Sequence, residues 1–78
     1  MRVRVRYFAM LREHLGAGGE RTVRDDITAG ALWKAIVADA PAVRAVRVRF
    51  AVNEEYVAAS HRLADGDELA VFPPVSGG

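Results

Sequence analysis

The chain is 78 residues long, 51% apolar and 27% charged, with a formal net charge of +1. That leaves room for one small core and no second domain, is too apolar for disorder, and is too weakly basic for nucleic acid to be the main partner. Cysteine is absent, which excludes disulfide staples, a thiol nucleophile, a persulfide carrier and a Cys-type zinc site, and suits a reducing cytoplasm.

"RVRVRYF" (Arg2 to Phe8) alternates charged and apolar side chains with period two, the pattern of a half-buried strand. Val3, Val5 and Tyr7 share one face, and Arg2, Arg4, Arg6 and Phe8 share the other. The same alternation excludes a signal-peptide core at this end, and no apolar run is long enough to span a membrane. "AMLREHLGAGG" reads as a short helix with Leu11 and Leu15 one turn apart and Gly16 placed to stop it. Glu20 to Ile27 then reads as a second strand, returning as a hairpin around that helix. Thr28 is placed to cap a longer helix whose apolar stripe is Leu32, Trp33, Ile36 and Val37, closed at Ala40-Pro41.

"VRFAVN" gives a third strand and "EYVAA" a short fourth, separated by a polar turn at Asn53-Glu54-Glu55. Asp65-Gly66-Asp67 is a turn signal, and "ELAVF" (Glu68 to Phe72) is the last strand. Pro73 and Pro74 cannot donate ladder hydrogen bonds, so the sheet ends there. One main helix over a mixed sheet of about five strands, with a short extra helix, predicts an α+β fold of the ubiquitin-like β-grasp kind. In that arrangement the first and last strands lie side by side. The β-grasp domain is expected over residues 1–73 and a flexible Gly-Gly tail over residues 74–78.

"YFAMLREHLG", "AVNEEYV" and "LADGDELAVFPPVSGG" together resemble the molybdopterin synthase small subunit, the MoaD family. The resemblance spans nearly the whole chain and is least distinctive between Gly18 and Arg49. It implies a sulfur-carrier subunit and not a self-sufficient enzyme. A ubiquitin-activating-like adenylyltransferase of the MoeB type uses ATP to adenylate the terminal carboxylate of Gly78. A sulfur donor, a cysteine desulfurase or rhodanese, then replaces AMP and leaves a thiocarboxylate. The tail, Pro73, Pro74, Val75, Ser76, Gly77 and Gly78, enters the MoaE-type large subunit, where sulfur passes to cyclic pyranopterin monophosphate to build the dithiolene of molybdopterin. No cofactor or metal is bound permanently, sulfur is carried covalently on Gly78, and neither nucleic acid nor membrane is a partner. The alternatives are a thiamine-type or other sulfur carrier, and a ubiquitin-like modifier or interaction module.

The chemistry needs these residue types. A carboxylate is a poor electrophile, so adenylation supplies a leaving group, and the thiocarboxylate puts a soft anionic nucleophile at the end of an arm. Glycine has the least bulk and the most backbone freedom for entering another protein's site. From Pro74 to Gly78 an extended arm reaches at most roughly 16–18 Å, and the prolines stiffen its base. Docking needs a face as well. Phe8 and Phe72 both fall on outward strand positions beside the tail and Tyr56 extends them, so these three are the candidate partner-binding residues; the competing explanation is a helix or loop that covers them. His14 and His61 read as isolated surface histidines, Trp33 as core, and Asp65, Asp67 and Glu68 as turn formers. Arg2, Arg4 and Arg6 read as a solvated strand face near the tail.

Overall fold

In the computed structural model, which describes residues 1–74, the chain runs β1 (Arg2–Tyr7), α1 (Met10–Leu15), β2 (Gly18–Thr22), α2 (Ala29–Asp39), a 3₁₀ turn (Pro41–Val43), β3 (Arg49–Val52), β4 (Glu55–Val57) and β5 (Glu68–Phe72). The strands form one sheet in the order β2-β1-β5-β3-β4, with β1 and β5 parallel and every other pair antiparallel. This is the expected ubiquitin-like β-grasp, with the first and last strands as neighbours in the sheet. Val75, Ser76, Gly77 and Gly78 lie outside the described residues.

Alternation in β1 is realised residue by residue: Val3, Val5 and Tyr7 are buried while Arg2, Arg4 and Arg6 are exposed. β5 repeats it, with Leu69 and Val71 buried and Ala70 and Phe72 turned the other way. α2 brings Leu32, Trp33 and Ile36 into the core formed by these inward faces. Its first free N–H groups all find acceptors, as a partly buried helix start requires. Thr28 Oγ1 accepts from Ala31, the Ala59 carbonyl from Gly30 at 2.8 Å, and the His61 carbonyl from Ala29 at 2.9 Å. That capping use of the 59–61 backbone ends β4 at Val57, short of the expected Ala58 and Ala59.

The second strand differs most from expectation: it runs Gly18–Thr22, not Glu20 to Ile27. Val23 makes a last pair of backbone hydrogen bonds with Met1, the chain then leaves the sheet, and Asp26 takes a turn conformation with φ 65°. The strand starts early because Gly18 can pair opposite Arg6 only without a side chain. Its φ is +106°, and a Cβ there would lie 1.9 Å from the Val5 carbonyl oxygen.

Tyr7 closes the apolar side of β1 and is buried. Burial pushes its phenol above the usual 10.0, with the nearby Arg21 charge pulling the other way. The fold therefore favours the neutral phenol. Its contribution is intact below pH 10 and is lost as the pH rises through the higher folded-state value. Urea unfolding of the parent and Tyr7→Phe across pH 9–12 checks this: the stability difference between them is expected to shift against the parent above about pH 10. Parallel profiles would show that Tyr7 ionises as freely in the fold as outside it.

Candidate functional site

Among the described residues, one face of the sheet is covered by the helices and the other is not. α1 could have shielded the outer side, but Ala9, at φ 55°, turns the chain so that Leu11 plugs the core with 0% exposure. The outward residues of β1 are therefore exposed and those of β5 half-buried on this second face. Phe8 is 37% and Tyr56 78% exposed, and these are the large apolar side chains left exposed among the described residues.

Sheet register decides who meets whom. β3 pairs with β5 so that Arg49 faces Phe72 and Ala51 faces Ala70, and β4 places Tyr56 beside Ala51. The Tyr56 and Phe72 rings are 5.7 Å apart at a tilt of 59°, within the range of stabilising aromatic pairs. Phe8 sits at the end of β1, its N–H donated to the Val71 carbonyl at 3.2 Å, and the Arg6 guanidinium lies 5.3 Å above its ring. The expected trio is thus brought to one surface in an altered arrangement. Tyr56 is the ring that meets Phe72, and Phe8 is partnered by a cation. Small Ala51 and Ala70 lie between the aromatic positions, and Pro73 and Pro74 continue from Phe72 at the margin of the patch.

At the opposite end of β5 a polar clamp fixes where the strand begins. Asn53 donates from Nδ2 to Asp67 Oδ1 at 3.0 Å and accepts the Glu68 N–H on Oδ1 at 3.0 Å, while Asp67 Oδ2 accepts the Ala64 N–H at 2.8 Å. Asp65 accepts the Arg2 N–H at 2.8 Å. These carboxylates serve turns, as expected, and no metal-holding group of His, Cys, Asp or Glu occurs among the described residues. His14 and His61 are exposed. Sequence reasoning placed Asn53 in a turn without a role for its side chain, and passed over Arg49. A turn Asn able to adopt φ 50° was the available signal for the first, and the Arg49–Phe50 alternation for the second.

The ThiS family profile matches residues 5–78. The chain belongs to the ThiS family. Among its relatives, the human molybdopterin synthase sulfur carrier subunit is 43% identical over 82 residues, covering 97% of this chain and 93% of that one. The Escherichia coli protein of the same name is 38% identical over 80 residues, covering 97% and 99%. In structure, this ThiS-family chain is similar to SAMP1 of Haloferax volcanii, a small archaeal modifier protein, with TM-score 0.80, 34% identity and 100% coverage of both chains. Among the described residues no helix is long and apolar enough to cross a membrane.

Proposed function

We propose that this ThiS-family chain is the sulfur-carrier subunit of a molybdopterin synthase. The observation that carries the reading is near full-length identity of 43% and 38% to two proteins named as that subunit. The open aromatic patch beside the start of the tail supports it, since a carrier has to dock before it can deliver.

The Gly78 carboxylate attacks the α-phosphate of ATP on a MoeB-type activating enzyme, and pyrophosphate leaves. The outer sulfur of a persulfide on a cysteine desulfurase or rhodanese then attacks the acyl carbon and AMP leaves. A second thiol cleaves the S–S bond of the resulting acyl disulfide, releasing the thiocarboxylate while the two donor sulfurs are left as a disulfide. The thiocarboxylate so formed is the nucleophile offered to cyclic pyranopterin monophosphate on a MoaE-type large subunit. Acid, base and pterin-binding groups belong to that partner, and this chain supplies the docking face and the reactive end. Incubation with the activating enzyme, ATP and a sulfur donor should raise the intact mass by about 16 Da, one oxygen replaced by sulfur at the acyl carbon. An unchanged mass with an active enzyme and donor would sink the reading.

A second reading, protein modification, is favoured by the 34% identity to SAMP1. It predicts instead an adduct of the tail carboxyl on a lysine of another protein, visible in the same spectra.

The docking face makes its own prediction. Phe72→Ala and Tyr56→Ala are each expected to weaken binding to the large subunit by about 2 kcal/mol, roughly thirtyfold in Kd. Phe8→Ala should lose less, because the Arg6 guanidinium of the same chain already covers one side of its ring. Isothermal titration with the large subunit measures all three, and unchanged affinity for Phe72→Ala would remove the patch from the interface.

A further inference from the structure

The open face carries more than aromatic rings. Arg2, Arg4 and Arg6 stand in a row along β1, and Arg49 stands opposite Phe72 on β3, all four exposed. Among the described residues the carboxylates beside the row are Glu20, Glu68 and, at the Arg2 end, Asp65. Glu20 is shared between Arg2 at 3.7 Å and Arg4 at 3.8 Å, while Glu68 lies 3.6 Å from Arg6. Arg49 has no ion pair among the described residues. Four arginines against three carboxylates leave this face net positive, with Asp65 committed to the Arg2 N–H. The pairs join exposed side chains at long distance, where each is worth about 0–1 kcal/mol. The guanidiniums therefore keep most of their donors for another ligand.

Beside this row lies an open trough of about 340 Å³, lined by Arg4 and Arg6 on one side, Gly18 and Gly19 on the other, and Glu68. Gly18 is held bare by the fold itself, because a Cβ would collide with the Val5 carbonyl. No side chain from β2 fills the space next to Arg6. Successive arginines of the row are about 6.6 Å apart along the strand, a spacing that carboxylates two apart on a partner strand, or four apart on a partner helix, can match.

We infer that the Arg2–Arg4–Arg6 row and its glycine-sided trough seat the carboxylates of an acidic segment on the protein that docks against Phe8, Tyr56 and Phe72. The inference rests on the docking reading above and adds the chemistry of the partner. A protein suits the surface better than a nucleic acid. Glu20 and Glu68 sit among the arginines and repel a continuous polyanion, whereas separate carboxylates fit between them. Such a row acts chiefly on encounter, drawing the partner in, while the aromatic patch governs how long it stays.

The test uses two probes and the variant Arg2→Thr/Arg4→Thr/Arg6→Thr, which keeps strand-favouring side chains. In an amide-resolved NMR titration with hexaglutamate, shifts are expected at β1 and at Gly18 and Gly19, and are expected to vanish in the variant. Absent shifts, or shifts spread equally over Arg12, Arg24, Arg44 and Arg47, overturn the inference and leave the proposed function untouched. Tighter binding of hexathymidylate at the same residues overturns it in favour of a phosphate ligand. In stopped-flow association with the large subunit, the variant should lose roughly tenfold in on-rate at low salt and most of its salt dependence, with little change in off-rate. An unchanged on-rate and salt slope overturns the inference. Hexaglutamate binding at the trough with no binding of the large subunit to the parent would instead remove the functional reading and leave the carboxylate site standing.

Discussion

Gly18→Ala is expected to destabilise the protein by about 3–4 kcal/mol and lower the Tm by on the order of 15 °C or more. Gly19→Ala, one residue along, should stay within about 0.5 kcal/mol of the parent. The contrast follows from the backbone. At Gly18 φ is +106°, and an added Cβ meets the Val5 carbonyl oxygen at 1.9 Å, the Val5 carbonyl carbon at 2.8 Å and the Arg6 Cα at 3.0 Å. All three are main-chain atoms of β1, so no rotamer change relieves the clash; either β2 moves off or the ladder shifts. At Gly19 nothing lies within 4 Å. A domain of this size has only about 5–15 kcal/mol in total, so the first change takes a large share and the second almost none. Thermal and urea unfolding of the two variants measure the difference. Equal stability would mean that the Arg6–Gly18 register is wrong, and with it the bare side of the arginine trough.

The sequence-level reading succeeded where side-chain period alone sets the outcome. Strict alternation in Arg2 to Tyr7 and Glu68 to Phe72 fixes both faces of the parallel pair β1 and β5, and a capping Thr28 with an apolar stripe fixes α2. It failed on β2 because the strand's start at Gly18 depends on a contact with Val5, far back along the chain, in a pairing that local propensity does not encode. Glycines inside a strand read as a turn until the opposing backbone is known. The aromatic site was legible as residues but not as partners. Outward positions followed from parity, whereas the Tyr56–Phe72 contact needs the β3–β4 and β3–β5 registers together. Val43, fully buried in the 3₁₀ turn, was likewise invisible, since a three-residue turn after Pro41 carries no periodic signal.

Removing Gly78 is expected to lower single-turnover sulfur transfer at least a hundredfold while leaving the fold unchanged. In the proposed mechanism the reactive group is the last on the arm, and deleting one residue draws it back by roughly 3.3 Å. Misplacement of a reacting atom by even about 1 Å can cost on the order of a hundredfold in rate. Adding a residue after Gly78 moves the acylation point outward and brings a side chain into a space sized for glycine, with a comparable loss. Gly78→Ala is the milder form, keeping length and adding one methyl. Stability should not follow activity, because the core among the described residues runs from Val3 to Val71 and Gly78 lies well beyond it. Conversion of cyclic pyranopterin monophosphate by the large subunit, with chemically charged protein, isolates delivery from activation. Mass spectrometry after adenylation and sulfuration isolates activation from delivery. Phe72→Ala supplies the control, since a docking defect is overcome by raising the large-subunit concentration and a misplaced carboxylate is not. Parent-rate delivery by the shortened chain would show that the reactive end is elsewhere, and the sulfur-carrier mechanism would have to be abandoned for this protein.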